Sequence, residues 1–351
     1  MRVLLTGAAG FIGSHIHDAL RRAGHEVVAV DLMLAAAHGP DATTPAGVRR
    51  VDVRDPDALA ALLPGIDAVC HQAAVVGAGV NAFDAPAYAS HNDLGTAVLL
   101  AAMAGERCRH LVLASSMVVY GEGRYRDGDT DVIPAARTAA DLDRGVFDHV
   151  GRSGAPLEWA AIDEDAPLRP RSLYAASKAA QEHYAAAWAA ATGSTVTALR
   201  YHNVYGDHMP RDTPYSGVAA IFRSMAAAGE AIRVFEDGRQ TRDFVHVRDI
   251  AAANVAALER PLELFTPLNV SSGHPITIAE VARILATAAG GKDPVVTGDY
   301  RSGDVRHIVA SPERATALLD FTAEVTPAAG LTEFATAPLR AVSAGSAPEW
   351  R

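Results

Sequence analysis

Cysteine is scarce in this sequence, which contains only two among 351 residues. Cys70 and Cys108 each lie in or beside an apolar run, so we expect two buried free thiols rather than a disulfide framework. Free thiols suit a reducing compartment, and we predict that the protein is cytoplasmic. No cysteine follows Cys108, so a thiolate zinc site is excluded there.

The 14 histidines show no HExxH or comparable spacing. We expect them to be solvated or hydrogen-bonded, and we predict no metal site.

Positive charge and long apolar runs are also limited. The 31 Lys and Arg residues face 41 Asp and Glu residues, and the formal net charge of −10 argues against a general partner among nucleic acids or anionic membranes. No uncharged apolar stretch reaches about 18 residues, and no basic, apolar leader precedes Val3, so we predict neither a membrane span nor a targeting segment. An anionic ligand must therefore be met by positive groups placed locally.

Aromatic residues make up only 6% of the chain, whereas hydrophobic residues make up 49% and charged residues 21%. This composition provides enough apolar surface to offset the chain entropy lost on folding, so it excludes a disordered protein. We expect an aliphatic, Ala-rich core in one large α/β unit or a two-lobed enzyme.

The amino-terminal half alternates short β-rich runs with helical patterns. The predicted strands are Arg2–Thr6, Glu26–Asp31, Val48–Val53, Ala68–Gln72 and His110–Ser115. The predicted helices between them are Phe11–Ala23, Pro56–Leu63 and Tyr88–Met103. Because parallel neighbours need crossover connections, the pattern predicts a doubly wound parallel sheet of the α/β class. A ligand should bind at the carboxyl ends of its strands.

The loop between the first strand and the first helix carries three glycines at a spacing of three, in the string Thr6-Gly7-Ala8-Ala9-Gly10-Phe11-Ile12-Gly13. The missing side chains let backbone N–H groups at the helix N-terminus approach a pyrophosphate, which predicts a dinucleotide site. Asp31 ends the second strand and can accept hydrogen bonds from both ribose hydroxyls. Leu32-Met33-Leu34 offers no cation for a 2′-phosphate, so NAD is preferred to NADP. We expect four further strand-end residues to flank the cofactor, namely Asp52, Val53, Ala73 and Ala74.

Tyr174 and Lys178 are four residues apart and therefore share one face of a predicted helix, Ser172–Thr192. An unperturbed tyrosine has a pKa of about 10, so ionisation near pH 7 requires that pKa to fall by about 3, at a cost of about 4 kcal/mol. Lys178 and a nicotinamide cation are the available sources. Such a pair is by itself as typical of a surface as of an active site. The fifth strand favours an active site, because Ser115 and Ser116 place two hydroxyls at the edge where the glycine loop lies.

An ordered set of motifs extends over residues 1 to 320. In chain order it comprises TGAAGFIG, Asp31, Asp52-Val53, His71-Gln72-Ala73-Ala74, Asn92 with Gly95-Thr96, SSMVVYG, Tyr174 with Lys178, RYHNVYG from Arg200, RDFVHV from Arg242 and RSGDVR from Arg301. This set resembles the extended short-chain dehydrogenase/reductase superfamily, in its NAD-dependent nucleotide-sugar epimerase/dehydratase branch. The resemblance implies a Rossmann-like sheet with a smaller carboxyl-terminal α/β lobe that binds substrate.

The resemblance also implies roles for individual residues. Tyr174 would be the acid/base, Lys178 its electrostatic partner and a ligand of the nicotinamide ribose, and Ser116 the hydroxyl that bonds the reacting sugar oxygen. Ser116 is preferred to Ser115 because the hydroxyl of such proteins lies four residues before the motif tyrosine, here Tyr120. Asn92 and Tyr201 would contact the cofactor. The substrate would be held by Asn203, Arg242 and Arg301 at the diphosphate, Asp304 near the nucleoside, and Val218 and Phe235 in the nucleotide pocket.

The domain boundaries follow from where the pattern changes. We predict an NAD-binding Rossmann domain over 1–206, with a polar insertion at 121–170 that passes near the active site. The nucleotide-sugar-binding lobe would occupy 207–351, with about 232–258 returning to the first domain. The resemblance further implies a homodimer formed through the two long helices.

The residue after the catalytic hydroxyl bears on the reaction. Members that dehydrate resemble one another in an Asp-Glu pair there, whereas this sequence has Met117-Val118, which cannot move protons. The resemblance therefore favours an NAD-dependent 4-epimerase of a nucleoside-diphosphate sugar, a UDP- or dTDP-hexose. A nucleotide-sugar 4-ketoreductase or dehydrogenase, a 4,6-dehydratase, and a non-catalytic NAD-binding regulator stay open as alternatives.

Overall fold

The computed structural model of the protein describes residues 1–77, 82–211, 217–301 and 303–341. The strands are β1 Arg2–Thr6, β2 Glu26–Asp31, β3 Val48–Arg50, β4 Ala68–His71, β5 His110–Ser116, β6 Arg124–Asp127, β7 Thr130–Val132, β8 Glu158–Ala160, β9 Thr195–Tyr201, β10 Asn203–Tyr205, β11 Pro210–Arg211, β12 Arg233–Val234, β13 Thr241–Arg242, β14 Phe244–His246, β15 Phe265–Val270, β16 Ile276–Thr277, β17 Val295–Val296 and β18 Arg340–Ala341. The α-helices are α1 Phe11–Arg22, α2 Ala35–His38, α3 Pro56–Leu62, α4 Ala85–Tyr88, α5 Gly95–Gly105, α6 Ala139–Asp143, α7 Leu173–Thr192, α8 Val218–Ala227, α9 Val247–Glu259, α10 Ile278–Ala288, α11 Glu313–Leu319 and α12 Pro327–Phe334. None of the helices in the described ranges combines the length and the apolar character needed to cross a membrane.

Seven parallel strands form the main sheet in the order β15-β9-β5-β4-β1-β2-β3. The strand order reverses between β1 and β4, so their carboxyl ends open a crevice in which a ligand can bind. This arrangement confirms the predicted doubly wound Rossmann-like fold.

Helices cover both faces of the sheet because successive strand residues point to opposite sides. Val3 and Leu5 of β1 belong to the core cluster on the side of α1 and α9, whereas Leu4 belongs to the cluster on the side of α3, α5 and α7. Both cysteines are buried and free, as predicted. Cys70 lies in the first cluster and Cys108 in the second.

The predicted helix over Tyr88–Met103 is not continuous. A π-helical turn at Ala89–Leu94 separates α4 from α5. The side chain of Asn92, within that turn, points inward and pairs with the backbone of Val75: its Oδ1 accepts from the N–H at 2.8 Å and its Nδ2 donates to the carbonyl at 2.9 Å. Single π-turns inside helices are frequent at functional sites.

The insertion at 121–170 has secondary structure that no pattern in its sequence predicts. Its strands form a small antiparallel sheet in the order β7-β6-β8, and it also contains the short helix α6. The guanidinium of Arg306, which is fully buried, joins this insertion to the second lobe through Asp148 at 2.7 Å and Asp237 at 2.7 Å. Glu236, at 2.8 Å, is a third carboxylate partner of this buried cation, which anchors the insertion against the lobe.

The second lobe has its own core, built from α8, α10 and α12. Its short strand pairs include β10 with β14 and β11 with β18. Chain segments after 206 also return to the main sheet, since α9 packs against it and β15 is its edge strand. The domain boundaries drawn from the sequence stay predictions.

Candidate active site

A large cavity opens at the carboxyl ends of the main-sheet strands and extends to the second lobe. Most of the predicted site residues line it, namely Gly7, Gly10, Phe11, Ile12, Gly13, Asp31, Asp52, Val53, Ala73, Ala74, Ser116, Tyr174, Lys178, Tyr201, Asn203 and Val218. Residues from the glycine loop and from the predicted catalytic set therefore share one ligand space.

The glycine loop is packed too tightly for side chains. Gly7 has a φ of +69°, and a Cβ there would lie 2.7 Å from the backbone nitrogen of Ala73. A Cβ on Gly13 would lie 2.0 Å from the carbonyl oxygen of Gly7. No side chain caps α1 at Gly10, and its first turn contains no acidic residue. The first N–H groups of α1 thus have neither a capping side chain nor an acidic neighbour in the first turn, which suits them to an anion.

Asp31 is buried, and its carboxylate is held from several sides. Its Oδ2 accepts from the Ala9 N–H at 3.0 Å, its Oδ1 accepts from the Met33 N–H at 2.8 Å, and His38 Nε2 lies 3.3 Å from Oδ1. Burial acts to raise the pKa of Asp31, but the hydrogen bonds from His38, Met33 and Ala9 outweigh it and hold that pKa below its ordinary value. Asp31 is therefore a charged acceptor at the cavity wall.

Asp52 also lines the cavity, with its carboxylate bound by a neighbouring guanidinium. Arg54 Nη2 lies 2.6 Å from Asp52 Oδ2, and its hydrogen bonds lower the pKa of Asp52. The apolar side chain of Val53 and the ring of His91 also line the cavity at this end.

The three predicted catalytic side chains meet at the end of β5. Ser172 caps α7 by accepting from the Ala175 N–H at 3.1 Å, which sets Tyr174 in the first turn of the helix. The Ser116 hydroxyl lies near the phenol of Tyr174, close enough to affect its ionisation, and both residues line the cavity. Lys178 is buried, donates from Nζ to the Ala114 carbonyl at 2.9 Å, and lies 6.0 Å from the centre of the Tyr174 ring.

The protein's own groups hold the pKa of Tyr174 above its ordinary value. Burial raises the pKa of Tyr174, and the nearby hydroxyl of Ser116 offsets only part of that effect. Burial likewise lowers the pKa of Lys178 to about 8, against the opposing charges of Glu182 and Asp93. The protein by itself thus holds Tyr174 as a neutral phenol. Tyr174 and Lys178 are buried in the same pocket, and burial disfavours the charged form of each.

The two serines at the end of β5 have different partners. The hydroxyl of Ser115 makes a short hydrogen bond to the carboxylate of Glu182, which in turn binds Arg200 at 2.7 Å. The Ser116 hydroxyl faces Tyr174 and otherwise accepts only a long contact of 3.4 Å from the Val118 N–H. Ser116 is therefore the hydroxyl available to a ligand.

Two adjacent residues present polar atoms to the cavity without a partner. His202 is 3% exposed, and neither of its ring nitrogens makes a hydrogen bond. The side-chain oxygen of Asn203 is also buried without a partner. Burial and the nearby charge of Arg242 lower the pKa of His202 to about 3, so its ring is neutral and offers one donor and one acceptor. Among the described residues, none makes a hydrogen bond to the His202 ring, so its two nitrogens are left for a ligand.

A protein-family model described as the NAD-dependent epimerase/dehydratase family matches residues 3–140 and 151–271. This chain belongs to that family. A dTDP-L-rhamnose 4-epimerase of Burkholderia thailandensis is 36% identical over 317 residues, which cover 87% of this chain and 86% of the relative. The family is NAD-dependent, and the glycine loop, the uncapped α1 and the charged Asp31 fit that cofactor.

Solved structures of similar proteins agree with this assignment. The NAD complex of UDP-glucose 4-epimerase from Thermus thermophilus has a TM-score of 0.75 and 32% identity, covering 95% of this chain and 98% of that one. UDP-N-acetylglucosamine 4-epimerase from Methanobrevibacter ruminantium has a TM-score of 0.77 and 27% identity, covering 95% and 96%.

Two of the cofactor residues expected from the family resemblance have their polar groups engaged by protein. Asn92 does not line the cavity; beyond its bonds to Val75, its Nδ2 donates to Ser177 Oγ at 2.9 Å. It positions the Val75 segment, which does line the cavity. Tyr201 lines the cavity, but its hydroxyl bonds to Gln72 Oε1 at 3.1 Å. Only the ring of Tyr201 is left for a ligand.

Four of the expected substrate residues lie together in the second lobe but outside the lining of the main cavity, namely Phe235, Arg242, Arg301 and Asp304. The guanidinium of Arg301 lies 5.4 Å from the centre of the Phe235 ring. Arg242 donates to the carbonyls of Val305 and Arg306, at 2.5 Å and 2.9 Å. Burial raises the pKa of Asp304, opposed by the charges of Arg301, Arg242 and Arg137.

Sequence reasoning missed Arg137 and Arg340. Arg137 belongs to the insertion, and its guanidinium pairs with Glu236 at 2.8 Å and donates to the Asp304 carbonyl at 2.5 Å. Arg340 lines the main cavity from the far end of the chain. Neither lies in a motif, so no local signal marks them. Within the described residues, no three His, Cys, Asp or Glu side chains are grouped so as to hold a metal ion.

Proposed function

We propose that this protein is an NAD-dependent 4-epimerase of a nucleoside-diphosphate sugar. The observation that carries the proposal is the meeting of Ser116, Tyr174 and Lys178 with the glycine loop in one cavity. The next wall residue, Met117, offers a thioether where a dehydratase needs an acid. The site therefore supports proton transfer at one sugar oxygen, and positions 117 and 118 provide no second acid/base of the kind that elimination of water requires. The similarity to 4-epimerases agrees with this assignment.

In the proposed reaction Tyr174 accepts the proton of the sugar O4 and later returns it. The hydroxyl of Ser116 holds O4 beside the phenol, because it lies next to Tyr174 in the cavity and is left for a ligand. Lys178 stays fixed by the Ala114 carbonyl, and its charge favours the phenolate. NAD, when bound, supplies the hydride acceptor and donor and a positive charge that opposes the effect of burial on the phenol. No net electrons are exchanged, so one NAD serves repeated turnovers.

The substrate we propose is a UDP- or dTDP-hexose. The unpartnered atoms of His202 and Asn203 require polar ligand groups, because an unsatisfied buried donor or acceptor costs about 1–3 kcal/mol. Sugar hydroxyls and phosphate oxygens provide such groups. The guanidinium of Arg301 stacked near Phe235 suits a nucleotide further along the second lobe.

The experiment is to incubate the purified protein, without added cofactor, with a panel of UDP-, dTDP- and GDP-hexoses and to separate the products by chromatography. We expect C4 epimers of one UDP- or dTDP-sugar. Net oxidation, or a stable 4-keto-6-deoxy product, would contradict the proposal. Tyr174→Phe should keep its NAD and lose turnover by about 100-fold or more. Tyr184→Phe, which removes a hydroxyl from the same helix outside the cavity and keeps the apolar ring, is the matched control.

The assembly we propose is a cytoplasmic homodimer. The helices α5 and α7 pack side by side in the structure; Leu94, which directly precedes α5, is 51% exposed, and Tyr184 of α7 is 50% exposed. Large apolar side chains exposed on neighbouring helices favour burial against a second copy. The mass in solution, measured by light scattering, tests this part of the proposal, and a monomer would contradict it.

A further inference from the structure

The cavity contains few permanent positive charges. Among the described residues that line it, Lys178 and Arg340 are the only lysine or arginine side chains. They lie at different places: Lys178 bonds to the Ala114 carbonyl at the end of β5, and Arg340 Nη1 donates to the Ala9 carbonyl of the glycine loop at 2.9 Å. Of these two cations, Arg340 is therefore the one that lies at the loop where a dinucleotide diphosphate is expected.

Arg340 reaches the loop because the chain returns to the cofactor edge after α12. The segment around it runs beside β11: the Arg340 N–H donates to the Met209 carbonyl at 3.1 Å, and the His208 N–H donates to the Pro338 carbonyl at 2.8 Å. Parallel pairing of β18 with β11 fixes the direction of the Arg340 side chain. Met209 and Pro210, the partners in this docking, are themselves wall residues of the cavity.

The guanidinium of Arg340 is incompletely satisfied by protein. Its Nε is buried and makes no hydrogen bond, while Nη1 is used by Ala9. Burial acts to lower the pKa of Arg340, and the negative charge of Asp31 opposes that effect. Asp31 is already held by Ala9, Met33 and His38, so it does not supply the missing partner. A half-buried guanidinium in the cavity wall, with an Nε that has no partner among the described residues, is suited to an anionic ligand.

We propose that Arg340 is a cofactor-binding residue that pairs with the diphosphate of NAD at the N-terminus of α1. Two observations support the diphosphate as the partner. The uncapped N–H groups of α1 and the glycines lie at the same loop as the Arg340 contact. The protein carries a formal charge of −10, so an anionic cofactor needs a local cation, and the loop contributes only N–H dipoles. This inference rests on the NAD dependence of the family and not on the proposed 4-epimerisation.

If Arg340 binds the cofactor, the pairing of β18 with β11 is part of the NAD site, although it is assembled by the second lobe. Bound NAD then links the main sheet to that lobe and stabilises the docking of 338–341. Loss of the cofactor should make this segment easier to open.

The test uses full-length protein stripped of cofactor and titrated calorimetrically with NAD, ADP and adenosine. Arg340→Gln is expected to weaken NAD and ADP about 10- to 100-fold, the range for loss of a charge-assisted hydrogen bond. Adenosine, which lacks the diphosphate, should bind as it does to the wild type. Arg340→Lys should recover part of the loss because it restores the charge without the planar fork. Arg248→Gln removes an exposed arginine paired with Glu333 at 2.7 Å and serves as the control.

Unchanged NAD affinity in Arg340→Gln would overturn the proposal. An equal loss for adenosine and ADP would also overturn it, because it would mean that the site is distorted rather than missing a phosphate contact. Thermal unfolding of both variants checks that they are folded. Sugar turnover is measured separately at saturating NAD: a wild type that binds NAD but gives no epimer would refute the proposed reaction and leave the assignment of Arg340 intact.

Discussion

Arg200→Met is expected to lower the free energy of unfolding by about 3–5 kcal/mol. The side chain of Arg200 is 3% exposed and that of Glu182 is 1% exposed, and the two are 2.7 Å apart behind the catalytic strand. Methionine fills most of the arginine volume, so the main cost is a buried carboxylate left without its counter-charge. Arg200 also donates to the hydroxyl of Tyr120 at 2.8 Å, and that group loses a partner as well.

The measurement is unfolding in urea, with the same dependence of the free energy of unfolding on urea concentration used for wild type and variant. The control is Arg248→Met, which breaks an ion pair whose side chains are 54% and 58% exposed, and which should cost about 0–1 kcal/mol. A second variant combines Arg200→Met with Glu182→Leu, and it should recover much of the loss because no isolated charge is left. A cost below about 1 kcal/mol for Arg200→Met would refute the claim that a buried, unpaired Glu182 carboxylate is the main source of the loss. No recovery of stability in the double variant would refute it as well.

Two further predictions address the histidines. His202→Phe keeps a ring but removes both unpartnered nitrogens, so we expect the KM for the nucleotide sugar to rise about 10-fold with unchanged NAD content; an unchanged KM would mean that these nitrogens do not meet substrate. His71 is buried between Thr6 and Thr96, and burial together with the charge of Lys178 lowers its pKa to about 3. Because this folded-state pKa lies below the ordinary value of about 6.5, the stabilisation is present above pH 6.5 and is lost as pH falls toward 3, by up to about 1.4 kcal/mol per pH unit. The urea midpoint, measured at about pH 7, 5.5 and 4.5, should therefore fall less steeply with falling pH in His71→Gln than in the wild type. An equal fall in both proteins would show that His71 is not the source of the pH dependence.

The parts of the fold that depend on local pattern were predictable. β1, β2 and α1 agree with the sequence-based bounds to within one residue, because hydrophobic periodicity and terminal glycines act over a few residues. The glycine loop was predictable for a related reason: three positions without side chains allow other backbone segments to approach closely, and the sequence shows these positions directly. The Tyr174 and Lys178 pair was predictable only as a shared helix face. Its burial, and the neutral phenol that results, depend on strands and helices packed around it.

The amino-acid order by itself determined the doubly wound class, the dinucleotide loop and the candidate acid/base, because each depends on residues close together in the chain. Only the tertiary structure decided that Ser115 is bonded to Glu182 while Ser116 is left for a ligand, and that Asn92 positions a wall segment. It alone brought Arg340 to the glycine loop, over a separation of 331 residues from Ala9. Such contacts depend on how distant segments pack, and pairing between remote segments leaves no periodic signal in the sequence.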